Sequence, residues 1–589
     1  MFLPPFYVDS PDAYLKDATK CLQENYWIFN FQITNFFGNS TWEKIPVEWR
    51  EPLLDLSTQE LNELPYHYCK EDWPESLKSF LQLSQRLSLP RQQSGKNPTV
   101  KINKDIKRGM IPKKIAEVSS LAAVVDAVCR EGRCEGVIDV GAGLGYLGQV
   151  LTSQYGRDVI SLELKDDNTE GAKQRQVKQG SNPKSRLYTV ELKDDTESRE
   201  NLKEILRMES RNLAKTRSEK TSCRHCPDSC ESEVTVSSCV THGCETTSPT
   251  VGGDKTIYKC ASGDSLKTEN SADSGLNCNL CISEKNNEPS DSGVMSGCVT
   301  HGCEILSHTV GEDKTRSECA RSESENGANG GLCCNLCNTE IAKGPCDDLD
   351  TRQLSQNVSR RIDVGFCMVG LHCCGDLTPT MLKMFGDIEE LTHLVCVSCC
   401  YHNMEKEGDD GFRNFPMSCQ VRDAVCGGVD RWCSHFAFRL AAQETRARWK
   451  HQSKDEHEQH TRHVAYRGIL QEFMGNGDNK LKKIKRKVAR KSAFVDFGSY
   501  LDAVLERTEG VDVCSQRQEL LDLYITYEDR FEYIEPITAL QVILQPVIES
   551  LITIDRVIYL NERGIPAEIV PLFDEFVSPR NLAIIAKKS

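Results

Sequence analysis

Gly136–Gln149 reads GVIDVGAGLGYLGQ, and the fold follows from how this stretch is parsed. Val137–Val140 is an apolar run holding a single acid, Asp139, as expected of a buried strand. Gly141, Gly143 and Gly145 then allow a tight turn and let the backbone approach a ligand closely. Leu144–Tyr155 continues as a helix whose N-terminus points into the turn. The next strand, Asp158–Leu162, ends in Glu163, where a carboxylate is placed to accept hydrogen bonds from ribose hydroxyls.

Two kinds of cofactor use this geometry. Gly143–Gly148, GLGYLG, fits the dinucleotide pattern G-x-G-x-x-G, and the acid spacing suits it. Asp139 extends the pattern to D-x-G-x-G-x-G, which resembles the first motif of class I S-adenosylmethionine-dependent methyltransferases. A carboxylate beside the turn would repel a pyrophosphate, so the methyltransferase-type reading is favoured over a dinucleotide site or a purely structural glycine turn.

Two later segments repeat the strand-then-polar pattern. Asp363–Leu377, DVGFCMVGLHCCGDL, gives a buried strand over Val364–Leu371 followed by His372, Cys373, Cys374, Gly375 and Asp376. Leu391–Met404, LTHLVCVSCCYHNM, gives another strand followed by Cys399, Cys400, Tyr401 and His402. Ligands of open α/β sheets bind at the carboxyl ends of strands, so both clusters are expected to face the crevice of the glycine turn. His372 and His402 are candidate proton acceptors. Cys399, Cys400 and Tyr401 are candidates for the reaction site: either cysteine lines it or, with a depressed pKa, acts as a nucleophile, whereas a strand-end Cys also serves as a small buried hydrophobe. Asp376 reads as a turn or helix-cap acid. No N-P-P-Y or D-P-P-Y element follows the fourth strand, which weighs against methylation of a planar base nitrogen.

GMIPKKIAEV (Gly109–Val118), VIDVGAGLGYLG, GLHCCGDL, VSCCYH, FPMS (Phe415–Ser418) and the terminal SPRNLAIIAKK together resemble the methyltransferase-like protein 25 family. GLHCCGDL and CCYH also resemble more distant relatives, among them a tRNA 2′-O-methyltransferase family. The resemblance covers roughly 100–200 and 355–589. It implies a class I methyltransferase Rossmann-like α/β sheet and S-adenosyl-L-methionine as cofactor, held by Asp139, Gly141, Gly143, Gly145 and Glu163. Lys113, Lys114 and Glu117 match a family element ahead of the first strand, with either a binding role or a role in docking helix to sheet.

The remaining organisation comes from composition. Residues 1–100 form a helical N-terminal region, with helix-like pieces at Asn25–Phe37 and Glu75–Leu87 and a linker around Pro90–Pro98. Residues 101–204 and 351–429 are the two halves of the methyltransferase domain, 430–535 a helical region, and 536–589 terminal strands completing the sheet. These last are expected at Arg556–Leu560 and Asn581–Ile585, around a short helix near Glu568–Glu575. Fifteen of the 29 cysteines lie between Cys223 and Cys346. There SCVTHGCETTSPTVGGDKT (238–256) returns as GCVTHGCEILSHTVGEDKT (297–315). So polar a segment buries too little apolar surface to offset its ordering entropy. Residues 205–350 therefore read as a long, mostly disordered Cys-rich insertion, favoured over an ordered zinc module, and no metal site is assigned.

With 87 acidic and 72 basic residues among 589, the formal charge is −15, which excludes a globally basic nucleic-acid coat. The exception is Lys480–Lys491, KLKKIKRKVARK, with eight Lys or Arg in twelve residues, a local stripe suited to RNA phosphates or to nuclear import. Glu549, Asp555 and Arg556 interrupt the longest apolar stretch, so no membrane span is expected, nor is a secretory signal. The thiol-rich composition then points to a reducing, cytoplasmic or nuclear setting. The acceptor is open at this level, with RNA favoured over protein; the alternative is a methyltransferase-like scaffold without activity.

Overall fold

The computed structural model describes residues 2–92, 98–178, 180, 184–222, 365–408, 411–425, 433–443, 446–474, 491–506 and 513–588, without the side chains of 216–222, 491–492 and 513–516. The Cys-rich repeats and all but the last residue of Lys480–Lys491 lie outside the described residues.

Five parallel strands begin the sheet: β1 (Gly136–Val140), β2 (Asp158–Glu163), β3 (Ser185–Thr189), β4 (Phe366–Cys374) and β5 (Leu391–Cys399). A two-residue hairpin follows, β6 (Lys406–Glu407) with β7 (Gly411–Phe412), and then β8 (Ala567–Pro571) and β9 (Leu582–Lys587). The order across the sheet is β3-β2-β1-β4-β5-β9-β8, with β9 antiparallel to both neighbours. This is a mixed seven-stranded sheet flanked by helices. Strand order reverses between β1 and β4, so the crevice expected of open α/β sheets lies at their carboxyl ends. Both faces are covered, which is why β1 is buried throughout and β5 almost so.

The Pro112–Glu131 helix starts on Pro at its first turn, where the missing N–H costs no intrahelical bond, and stops at Gly132. Tyr146–Tyr155 stops at Gly156, at φ 66°. The sequence places β1, β2, β9 and the Glu75–Leu87 helix correctly, and puts the insertion between the third and fourth strands. Elsewhere the structure corrects it. Asn25–Phe37 holds only a four-residue helix, Tyr26–Phe29, and a 3₁₀ turn, Ile33–Asn35. The Thr196–Ser222 helix runs through the expected insertion boundary at 205.

The largest correction concerns 536–589. Arg556–Leu560 is not a strand but the last turns of a helix, Ile534–Glu562, and Glu568–Glu575 is β8 and the turn after it rather than a helix. The long helix is surrounded on all sides, so no amphipathic stripe marks it in the sequence. Within Arg517–Glu562 an 18-residue stretch is apolar enough by length and composition to cross a membrane, yet 94% of that stretch is buried in the protein. Its two buried acids, Asp555 and Glu549, have partners. The Asp555 carboxylate accepts the Met417 and Ser418 N–H groups at 2.8 and 2.9 Å and the Ser418 hydroxyl at 2.7 Å. Glu549 pairs with Arg91 and Arg580. Helices of the N-terminal region pack on this same helix, and one core runs from Leu15 and Phe80 through Ile548 to Ile138 of β1. The N-terminal region and the sheet therefore share a core.

Candidate functional site

The turn after β1 has the conformation its glycines permit. Gly141, Gly143 and Gly145 sit at φ 70°, 55° and 70°, in the left-handed region that costs an L-residue roughly 1–2 kcal/mol. Gly141 and Ala142 donate their N–H groups to the Leu162 carbonyl at 2.9 and 3.1 Å, which ties the turn to the end of β2. A Cβ on Gly143 would meet nothing within 4 Å, so open space lies against the backbone there. Glu163 accepts the Gly143 N–H at 2.8 Å, the Lys165 N–H at 3.2 Å and an Asn168 amide N–H at 3.0 Å. That uses three of a carboxylate's roughly four lone-pair sites and leaves one for a ligand hydroxyl.

Asp139 is buried within β1, and its Oδ2 has no hydrogen-bond partner. Burial pushes its carboxyl up to about 7, against the opposing pull of Lys114 and of the Gly148 N–H and with reinforcement from Glu163. A buried polar atom without a partner is costly, and a cationic ligand donor would relieve that cost.

The ends of β4 and β5 form the other wall. His372 sits at a register shift in β4, at φ 63°, a conformation that costs a non-glycine residue. Its Nε2 lies 3.0 Å from Oε1 of Glu117, which rises from the Pro112–Glu131 helix. The same oxygen accepts the Ser578 hydroxyl at 2.7 Å, and the Lys113 ammonium stands 3.8 Å away. Burial alone would raise the Glu117 carboxyl; His372, Ser578 and Lys113 together outweigh it and hold the group below the usual carboxylate range. Cys374 and Cys399 face each other at 3.0 Å between sulfurs, and Cys400 completes a trio of thiols within 4.8 Å of one another. Hydrogen bonds within the trio push the Cys400 thiol down and the Cys399 thiol up.

A family model described as a methyltransferase domain matches residues 113–407, half of the chain. Probable methyltransferase-like protein 25 of Homo sapiens is 24% identical over 626 aligned positions, 98% of this chain and 97% of that protein. The Mus musculus protein of the same name is 31% identical over 234 residues, 38% of this chain and 37% of that one. The chain belongs to the methyltransferase-like protein 25 family. No solved structure matches.

Against this family's motifs, the structure sorts the sequence candidates. Asp139, Gly141, Gly143, Gly145 and Glu163 converge on one turn. His372, Cys399 and Cys400 gather at the ends of β4 and β5, and both His372 and His402 bear electrostatically on Cys400. Tyr401 is corrected: it is 1% exposed, with its hydroxyl donated to Glu549 Oε1 at 3.0 Å, so it anchors the turn to the core instead of meeting a substrate. His402 packs edge-on to His435, and its Nδ1 is buried without a hydrogen-bond partner; burial lowers its pKa. Asp376 makes no cap bond to its own helix. It accepts the Glu405 N–H at 2.6 Å and an Asn414 amide N–H at 2.7 Å, joining the turn after β4 to the loop after β5.

Three residues carry more than the sequence reading gave them. Glu117 was placed only by motif, and Ser578 and Cys374 were not singled out. Glu117 had a local signal, an acid among the apolar residues of its helix. Cys374 had one too, since HCC and SCC end successive strands. Ser578 had none.

Proposed function

We propose that this family member transfers a methyl group from S-adenosylmethionine to a nucleophile on RNA. The observation that carries the cofactor assignment is the partnerless, buried Oδ2 of Asp139 beside the open face of Gly143. These residues fit an amino-acid-bearing nucleoside. Asp139 would take the cationic amino group, the Gly141–Gly145 backbone the close approach, and the remaining lone pair of Glu163 a ribose hydroxyl. When bound, the cofactor supplies a sulfonium-activated methyl group.

The chain's own contribution to the chemistry centres on His372. Glu117 engages Nε2, which leaves Nδ1 as the basic nitrogen. Nδ1 accepts the proton an acceptor hydroxyl loses as it attacks, and the buried Glu117 carboxylate stabilises the imidazolium that results. His402 and the thiols Cys399 and Cys400 line the same ends of β4 and β5. The acceptor class rests on Lys480–Lys491, a basic run in an otherwise acidic chain, and on the resemblance to tRNA-methylating relatives.

The test has two arms. Thermal unfolding of the purified chain should shift upward with S-adenosylhomocysteine and not with NAD; no shift, or a shift with NAD, removes the cofactor assignment. Transfer of a labelled methyl group into extracts separated into RNA and protein fractions should mark RNA. Label in protein alone refutes the acceptor class, and label in neither, with the thermal shift intact, leaves a cofactor-binding scaffold.

A further inference from the structure

Cys374, Cys399 and Cys400 are not used by the proposed transfer, and their arrangement differs from that of the other thiols in the sheet. Cys373, Cys367 and Cys396 are fully buried and pack as small apolar groups; Cys373, for example, contacts the Met381 sulfur at 3.4 Å. The trio instead spans an exposed, a buried and a half-buried position at the carboxyl ends of β4 and β5. In a tetrahedral thiolate site with Zn–S of about 2.3 Å, sulfurs stand about 3.8 Å apart. The observed separations, 3.0 Å between Cys374 and Cys399 and at most 4.8 Å within the trio, bracket that value.

The backbone holds this geometry in place. Cys374 and Cys399 are register partners on adjacent parallel strands. Cys400 sits at φ 43°, where a non-glycine side chain is strained. Its carbonyl accepts the Gly375 N–H at 3.3 Å and the Asn403 N–H at 2.9 Å, so the turns after β4 and β5 are joined. Gly375, at φ 54°, lets them come this close: a Cβ there would lie 2.6 Å from the Asn403 carbonyl oxygen. Two strand ends locked together, at the cost of a left-handed cysteine, converge three soft donors on one point. On the same turn, the buried Nδ1 of His402 has no hydrogen-bond partner.

We propose that Cys374, Cys399 and Cys400 together bind one Zn²⁺ ion. Three thiolates select a soft or borderline divalent ion, and three protein ligands leave a fourth position for water or an incoming donor. The inference is independent of the cofactor assignment.

The cysteines between Cys223 and Cys346 offer further thiols, so the test is a difference measurement on the full chain. Zinc content of reduced, purified protein should fall by one equivalent per chain in Cys374→Ser and in Cys400→Ser, and not in Cys419→Ser, whose thiol is exposed elsewhere. A second measurement needs no variant. Chelation should raise the alkylation rate of Cys374 at least tenfold, and one added equivalent of Zn²⁺ should restore protection. Equal zinc in Cys374→Ser and wild type, alkylation indifferent to zinc, or recovery of Cys374 and Cys399 as a disulfide from metal-replete protein would each overturn the proposal.

Discussion

The two walls of the crevice are built in different ways. On the β1–β2 side, the ligand-facing groups lie between Asp139 and Glu163, and the hydrogen bonds that hold them come from no further along the chain than Asn168. On the β4–β5 side, His372 depends on Glu117 and Ser578, and the turn at Tyr401 depends on Glu549, Arg91 and Arg580. The first wall is local and the second is assembled from both ends of the chain. Damage to the first should therefore be confined to ligand binding, whereas damage to the second should reach the whole fold.

The strongest attempt to break that contrast is Glu549→Ala. It leaves Arg91 and Arg580 buried without their carboxylate, a loss of about 3–5 kcal/mol for a buried pair broken from one side. Denaturant unfolding should show this, and the contrast fails if the variant is as stable as wild type. Next comes His372→Asn. Methyl transfer should fall about 100-fold or more, as for loss of a general base, while binding of S-adenosylhomocysteine measured by calorimetry stays within about twofold. An equal loss in both would mean that the two walls are one site energetically.

Asp139→Asn sharpens the comparison through opposite signs. The carboxyl of the folded protein is raised to about 7 by burial, while an unfolded Asp titrates near 3.9. The folded state thus holds the proton more tightly. Its contribution to stability is complete below about pH 4 and is lost as pH rises through about 7. The Asn variant lacks this slope, so at pH 8 the ligand-free protein should be about 1–3 kcal/mol more stable than wild type. It should nevertheless bind S-adenosylhomocysteine at least tenfold more weakly, about 1.4 kcal/mol. Unfolding curves at pH 5 and pH 8, with and without ligand, check both signs. The smallest effect is expected for Gly143→Ala. The space is open, so only the left-handed backbone resists, at roughly 1 kcal/mol, seen as a drop of a few degrees in melting temperature.

The same contrast explains what could be read in the sequence. The glycine turn was legible because its chemistry is written in consecutive residues: φ preferences, one acid in a strand, another at the end of the next. Tyr401 was misread because CCYH sits at a strand end, where ligands bind, and nothing local says that its hydroxyl has a buried carboxylate waiting in the Ile534–Glu562 helix. That helix was itself split into a strand and a remainder, because burial on every side removes the amphipathic period that marks a helix.

By itself, then, the sequence determined the parallel α/β sheet, the place of the insertion, the glycine turn with Asp139 and Glu163, and the family. Those features rest on local preferences and short-range spacing. The tertiary structure alone decided that Glu117 orients His372, that Tyr401 belongs to the core, and that three thiols from two strand ends meet. Each of these is a contact between residues far apart in the chain, and its energy exists only once the sheet and the buried C-terminal helix have brought them together.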